Sequence, residues 1–178
     1  MLNLFFRSKT AKNQFLKQSE SIYLQIMGRL EQDVFYQKFG LNRTLETVMQ
    51  VFFLHLSLVM IILKHKGVDK AYAQTVFDTA FENLENSFLE NGASDYSIGH
   101  KMKKALKFFY GGLAAYEKAI VTSDMKALED ALRKNIYVKQ AVSPDQIVLL
   151  TKEVNQMLLT LNAVNWLDEN FVCFKDHF

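Results

Sequence analysis

The sequence predicts an all-α fold: a single-domain bundle of about six or seven helices around a central apolar helix at about 44–66. Three observations lead there. One Pro among 178 residues leaves little to interrupt a helix once it has begun. Gly and short polar clusters punctuate the chain at long intervals, and between them apolar residues recur at i, i+3, i+4 and i+7. No segment alternates apolar and polar residues between turn signals, as a half-buried strand would. The balance of 49% hydrophobic and 22% charged residues is that of an ordinary soluble globular chain, with enough apolar surface to offset the entropy of folding.

The first helix is predicted over about 11–28, where Phe15, Ser19, Ile22 and Ile26 share a face. A short helix near 33–39 stops at Gly40. Thr44 is placed to cap the central helix, which ends at Gly67 with Lys64, His65 and Lys66 complementing its dipole. Thr47–Leu63 carries no formal charge. A membrane span needs ~20 mostly apolar residues, and Thr47, Gln50, His55 and Ser57 interrupt this one, so a core helix wrapped by neighbours is expected.

The next helix runs from about Val68 to Glu90, with Val76, Phe77, Phe81, Leu84 and Phe88 as its apolar stripe. Asn91-Gly92 ends it. Ser94 or Asp95 caps a helix over about 96–121, and Ser123 or Asp124 caps another ending near Tyr137. Ser143-Pro144-Asp145 is a strong start signal for a last helix, predicted to reach about Asn170. Residues 1–10 are set apart as a flexible or membrane-proximal segment, and 11–178 form the single domain. Leu4, Phe5, Phe6 and Arg7 are candidates to meet a membrane surface, the apolar three inserting and the arginine meeting anionic lipid. Their order, apolar before basic, is the reverse of a secretory signal, so a cytoplasmic protein is expected, acting at the inner face of the membrane if that segment docks.

Catalytic patterns are missing from the sequence: it has no phosphate loop, dinucleotide turn or nucleophile elbow. An enzyme is not expected, nor a cofactor. None of His55, His65, His100 and His177 has an acid three residues before it, as di-iron bundles require. The single Cys173 excludes an internal disulfide, and its setting in Phe171-Val172-Cys173-Phe174 suits packing. One alternative stays open, a haem- or metal-binding helical protein. In it His55 would be an axial ligand with Met49 or Met60 nearby, and Asp78, Glu82 and Glu85 of the acidic helix 69–90 would offer carboxylates at i, i+4 and i+7. A hydrogen-bonded core histidine and a solvated acidic face are the plainer readings.

A net charge of +2 does not suggest DNA binding, but the charges are segregated. Residues 101–107 hold four Lys and no acid. On a wheel of 96–121, Met102, Leu106, Phe109, Leu113, Tyr116 and Ile120 form the expected core stripe, opposite His100, Lys103, Lys104, Lys107 and Gly111. Like charges at i, i+4 cost a few tenths of a kcal/mol, roughly, and each Gly of Gly111-Gly112 costs about 1 kcal/mol in mid-helix. Folding alone gives little reason to keep both. They point to a docking surface for an acidic or phosphate-bearing partner, or to glycines required for close internal packing.

The run Gly92-Ala93-Ser94-Asp95-Tyr96-Ser97-Ile98-Gly99-His100-Lys101-Met102-Lys103, followed by Phe109-Tyr110-Gly111 and Ala114-Ala115-Tyr116, resembles the ubiquinol–cytochrome c chaperone family. Leu132-Arg133-Lys134-Asn135-Ile136-Tyr137 and Phe35-Tyr36-Gln37-Lys38-Phe39-Gly40 are similar to flanking elements of that family, with coverage of roughly 20–140. The resemblance implies an all-helical chaperone that binds newly made cytochrome b, or another nascent membrane protein, during assembly of the ubiquinol–cytochrome c reductase. It also implies ribosome association and a small partner subunit. The chain lacks the long targeting extension of mitochondrial members, so a bacterial relative is expected. Asp95, Gly99, His100, Lys103, Lys104, Lys107, Phe108, Tyr110, Gly111 and Arg133 are the implied client- or partner-binding residues. Gly112 stands where a basic residue is common and His100 where a Lys is usual, so this chain's version of the face is less positive.

Overall fold

The computed structural model describes residues 2–166, 168 and 171–174, and the side chains of 12–33, 35–166, 168 and 171–174. Among the described residues there are seven helices and no strand: α1 (Leu2–Leu30), α2 (Asp33–Lys38), α3 (Leu45–His65), α4 (Lys70–Glu90), α5 (Asp95–Val121), α6 (Met125–Ile136) and α7 (Pro144–Ala163). The predicted elements are all present. α1 starts earlier than predicted because nothing between Leu2 and Ala11 breaks a helix: the stretch has neither Gly nor Pro.

Three of the breaks use the same device. At Gly40, Gly67 and Gly92 the backbone turns into the left-handed region, with φ of 64°, 63° and 82°. The next amide then reaches back to the helix, as Val68 N–H does to Leu63 C=O at 3.1 Å. Gly40 is doubly constrained, since a Cβ there would run into the Gln146 amide at the start of α7. That amide completes a capping box: Ser143 Oγ accepts from Gln146 N–H at 3.1 Å, and Gln146 Oε1 accepts from Ser143 N–H at 3.0 Å. Thr44, Asp69 and Asp124 cap α3, α4 and α6 with their side chains.

α3 touches every other long helix. It is 21 residues long and apolar enough, by length and composition, to cross a membrane, yet most of it is buried inside the bundle. Of its polar interruptions, Thr47 and His55 bond locally, whereas buried Ser57 Oγ has no partner among the described residues. His55, with no exposed surface, hydrogen-bonds Val51 C=O through Nδ1 at 2.8 Å and lies between the rings of Phe35 and Phe174. Buried Glu153 of α7 ties Arg29 of α1 (3.2 Å) and Lys38 of α2 (3.1 Å) to one carboxylate, which desolvates none of the three charges alone.

The last helix stops at Ala163, well short of the predicted Asn170. Val164 is extended, and the described residues beyond it form a non-helical strap whose Trp166, Phe171, Cys173 and Phe174 are buried. Two α1 glutamines supply the backbone partners that a longer helix would have given. Gln18 Nε2 donates to Trp166 C=O and Asp168 C=O (3.2 and 3.1 Å), while Gln25 donates to Phe171 C=O (3.2 Å) and accepts from Cys173 N–H (2.7 Å). The aromatic residues Phe171 and Phe174, beyond the predicted end of that helix, are buried. Cys173 packs as expected, and burial pushes its thiol pKa up. His177 lies outside the described residues. Leu58 sits at the centre of α3 with no exposed surface. Leu58→Ala is expected to cost about 2–5 kcal/mol in urea unfolding; a loss below about 1 kcal/mol would mean that the helix is not the core.

Candidate docking face

α5 packs against α3, α4 and α6, and its deepest residues are Ala105, Phe109, Gly112, Tyr116 and Ala119. The predicted stripe, centred on Leu106 and Leu113, is therefore displaced by about 60° around the helix. Leu106, Leu113, Met102 and Ile120 are half-buried at its margin. The physical reason is approach distance. Ala105, Gly112 and Ala119 recur every seven residues and let neighbouring helices come close, so small residues share the deepest line with Phe109 and Tyr116.

The opposite side is open. His100, Lys103, Lys104, Lys107 and Gly111 are all exposed, as are Asp95 and Gly99 near the helix start. Among the described residues no acid pairs with Lys103, Lys104 or Lys107, whereas further along the same helix Glu117 meets Lys64 at 2.7 Å. The two glycines separate cleanly. A Cβ on Gly112 would sit 3.4 Å from the Tyr116 ring and 3.9 Å from Asn135 of α6, so internal packing accounts for a small residue there. A Cβ on Gly111 would meet nothing within 4 Å. Internal packing gives no reason for that glycine.

The remaining predicted residues spread around this face. Phe108 is half-buried, its ring 5.9 Å from Phe53 of α3. Tyr110 is 53% exposed and stacks on Phe77 of α4, so it turns away from the lysines. Arg133 stands half-buried on α6 beside Tyr137, whose hydroxyl burial pushes up to about 12 against the opposing effect of that arginine. No interaction among the described residues joins Arg133 to the lysine row. The side chains of Leu4, Phe5, Phe6 and Arg7 lie outside the described residues. Tyr96, 98% exposed and one turn before His100 on the same stripe, was missed; its spacing from His100 and Lys103 was the available signal. Also missed were Leu45, Met49, Gln50 and Phe88, which meet α5 only in three dimensions.

The donors of the haem or metal alternative are not gathered. Asp78 and Glu82 are exposed and Glu85 half-buried on α4, while His55 is enclosed between phenylalanines. No group of three or more His, Cys, Asp or Glu placed to hold a metal occurs among the described residues. Burial and then the Arg29 charge push the His55 pKa down to about 3, so the ring stays neutral in the core.

Comparison with known proteins agrees with this architecture. A model of the family described as Ubiquinol-cytochrome C chaperone matches residues 37–166, a stretch that includes the whole of α5 and α6. The chain is 24% identical over 145 residues to the Ubiquinol-cytochrome-c reductase complex assembly factor 1 of Xenopus laevis, covering 81% of this chain and 72% of that protein. It superposes on the crystal structure of the Cbp3 homolog from Brucella abortus with a TM-score of 0.73 and 28% identity, covering 92% of this chain and 89% of the other.

Two outcomes follow. Gly111→Ala is expected to raise stability by about 0.5–1 kcal/mol, read by urea unfolding, because it removes a helix-interior glycine into open space; a loss would show a contact that the structure lacks. Folding lowers the His55 pKa, so the stability it contributes is complete above the ordinary histidine value of 6.5 and drains away as pH falls toward about 3. Between about pH 7 and pH 5 this one group is expected to remove about 2 kcal/mol. His55→Gln should show correspondingly less pH dependence in the same titration, and an unchanged profile would contradict the assignment.

Proposed function

Because this chain belongs to the ubiquinol–cytochrome C chaperone family, we propose that it is an assembly chaperone for ubiquinol–cytochrome c reductase that holds newly made cytochrome b, or a similar membrane subunit, against the outer side of α5. One observation carries the assignment of that surface: unpaired lysines and an open mid-helix glycine, two costs that folding does not explain, fall on the same stripe. The name of the Xenopus relative, a reductase assembly factor, supports the process.

The geometry fits holding and release, with no chemical step. Charges at the rim of a contact raise the rate of encounter and choose among partners more than they add affinity, which suits a client that must be passed on. Tyr96, rigid and almost wholly exposed, offers an aromatic anchor at the start of the row. Gly111 lets a partner backbone approach the helix where any side chain would hold it off. The same reading places the chain in the cytoplasm at the inner face of the membrane, with the ribosome and a small partner subunit as further contacts drawn from the family likeness.

Reversing Lys103, Lys104 and Lys107 to Glu is expected to reduce co-purification of cytochrome b by about tenfold or more. Circular dichroism and the urea midpoint should hold, since the three side chains are exposed. Full co-purification with the reversed protein would remove this face from the account.

A further inference from the structure

Beside the lysine row a groove of about 400 Å³ opens where α3, the end of α4 and the first half of α5 meet. Leu45, Met49, Phe53, Phe88 and Phe108 line it. A smaller hollow of about 100 Å³ shares Leu45, Met49, Phe88 and Asn91 with it and reaches Met27 on α1, so the two form a trough across the N-terminal half of α3. Leu45 is 71% exposed at the trough edge, an apolar side chain that the fold leaves in water. Gln50 also lines the groove. It is 5% exposed and makes no hydrogen bond among the described residues, so the part of its amide that reaches the groove is open to a partner there.

The charges at the rim say what that partner carries. Glu46 is already neutralised by Lys139 at 2.9 Å. Lys101, with its ammonium 5.6 Å over the Phe88 ring, and Lys104 line the groove without an acid. The uncompensated charge is positive.

We propose that this trough holds an apolar helical segment of the client, flanked by acidic residues for Lys101 and Lys104 and offering a polar group to Gln50. The inference rests on the reading that the outer side of α5 receives a polypeptide, and it specifies which segment of one. A trough open along its length takes a rod whose side chains point inward, the helix-in-groove arrangement. Met27 and Met49 suit it further, because unbranched thioethers adapt to varied apolar anchors.

The test uses the full chain and a fluorescent helical peptide of about fifteen residues, with Leu and Phe anchors on one face and Glu along one flank. A sister peptide replaces each Glu by Lys. The acidic peptide should bind saturably, and the Lys peptide about tenfold more weakly. Leu45→Glu and Lys104→Glu should each weaken the acidic peptide by about tenfold. Both positions are exposed, and Glu at the first residue of α3 suits the helix dipole, so neither variant threatens the fold. No saturable binding, equal binding of the two peptides, or an unaffected Leu45→Glu protein would overturn the proposal. So would oleate occupying the groove while the acidic peptide stays free, which would make the occupant a lipid. The peptide contains no cytochrome b sequence, so its failure leaves the client reading to the co-purification test, and the reverse.

Discussion

A helix with no charged residue between Glu46 in its first turn and Lys64 in its last cannot stand in water, and the rest of this chain is arranged to cover it. Fourteen of the 21 residues of α3 are buried. The long helices all pack on it, α2 brings Phe35 against His55, and the strap after α7 brings Phe174 to the same ring, 5.1 Å between ring centres. That closure needs backbone partners for a non-helical segment, and Gln18 and Gln25 provide them. Two of the polar residues within α3 bond locally: His55 reaches Val51 C=O, and Thr47 shares a bond with its own cap, Thr44.

Covering α3 also determines what α5 can present. A helix that packs on three neighbours through Ala105, Gly112 and Ala119 has committed one side to close contact. Its other side is then the only place for Lys103, Lys104 and Lys107, since an unpaired ammonium cannot be buried cheaply. Near the far end the helix holds Glu117 against Lys64, so charge is neutralised there and left open in the first half. The trough lies at that open half, where α3 begins and α4 ends. Apolar lining and unpaired cations thus meet at one end of the bundle as a consequence of how the core is closed.

Much of the fold was legible because its signals are local. Thr44, Asp124 and Ser143 each cap the helix they were expected to cap, and Gly40, Gly67 and Gly92 take the left-handed turns that glycine allows. The lysine side of α5 was legible too, since 3.6-residue periodicity places Lys103, Lys107 and Gly111 together without knowledge of neighbours. What failed depends on contacts distant in sequence. On the buried line of α5 Phe109 and Tyr116 were legible, but Ala105, Gly112 and Ala119 were passed over for Leu106 and Leu113, because a wheel weighs bulk and cannot see the close approach of a neighbouring helix. The first part of the strap, as far as about Asn170, was read as helix, because its partners sit on α1, about 150 residues earlier. Gln50 looked like a blemish in an apolar run; only the meeting of α3, α4 and α5 shows it lining a groove.

The central claim is that the outer side of α5 is free in the chain alone and covered when a client is held. Lysine footprinting tests it directly: brief acylation of the free chain and of its complex with cytochrome b, followed by mass spectrometry of each modified position. The account predicts rapid labelling of Lys103, Lys104 and Lys107 in the free chain and strong protection in the complex, with exposed Lys118, Lys126 and Lys152 labelled equally in both. Protection confined to those distal lysines, with the α5 row still reactive, would contradict it.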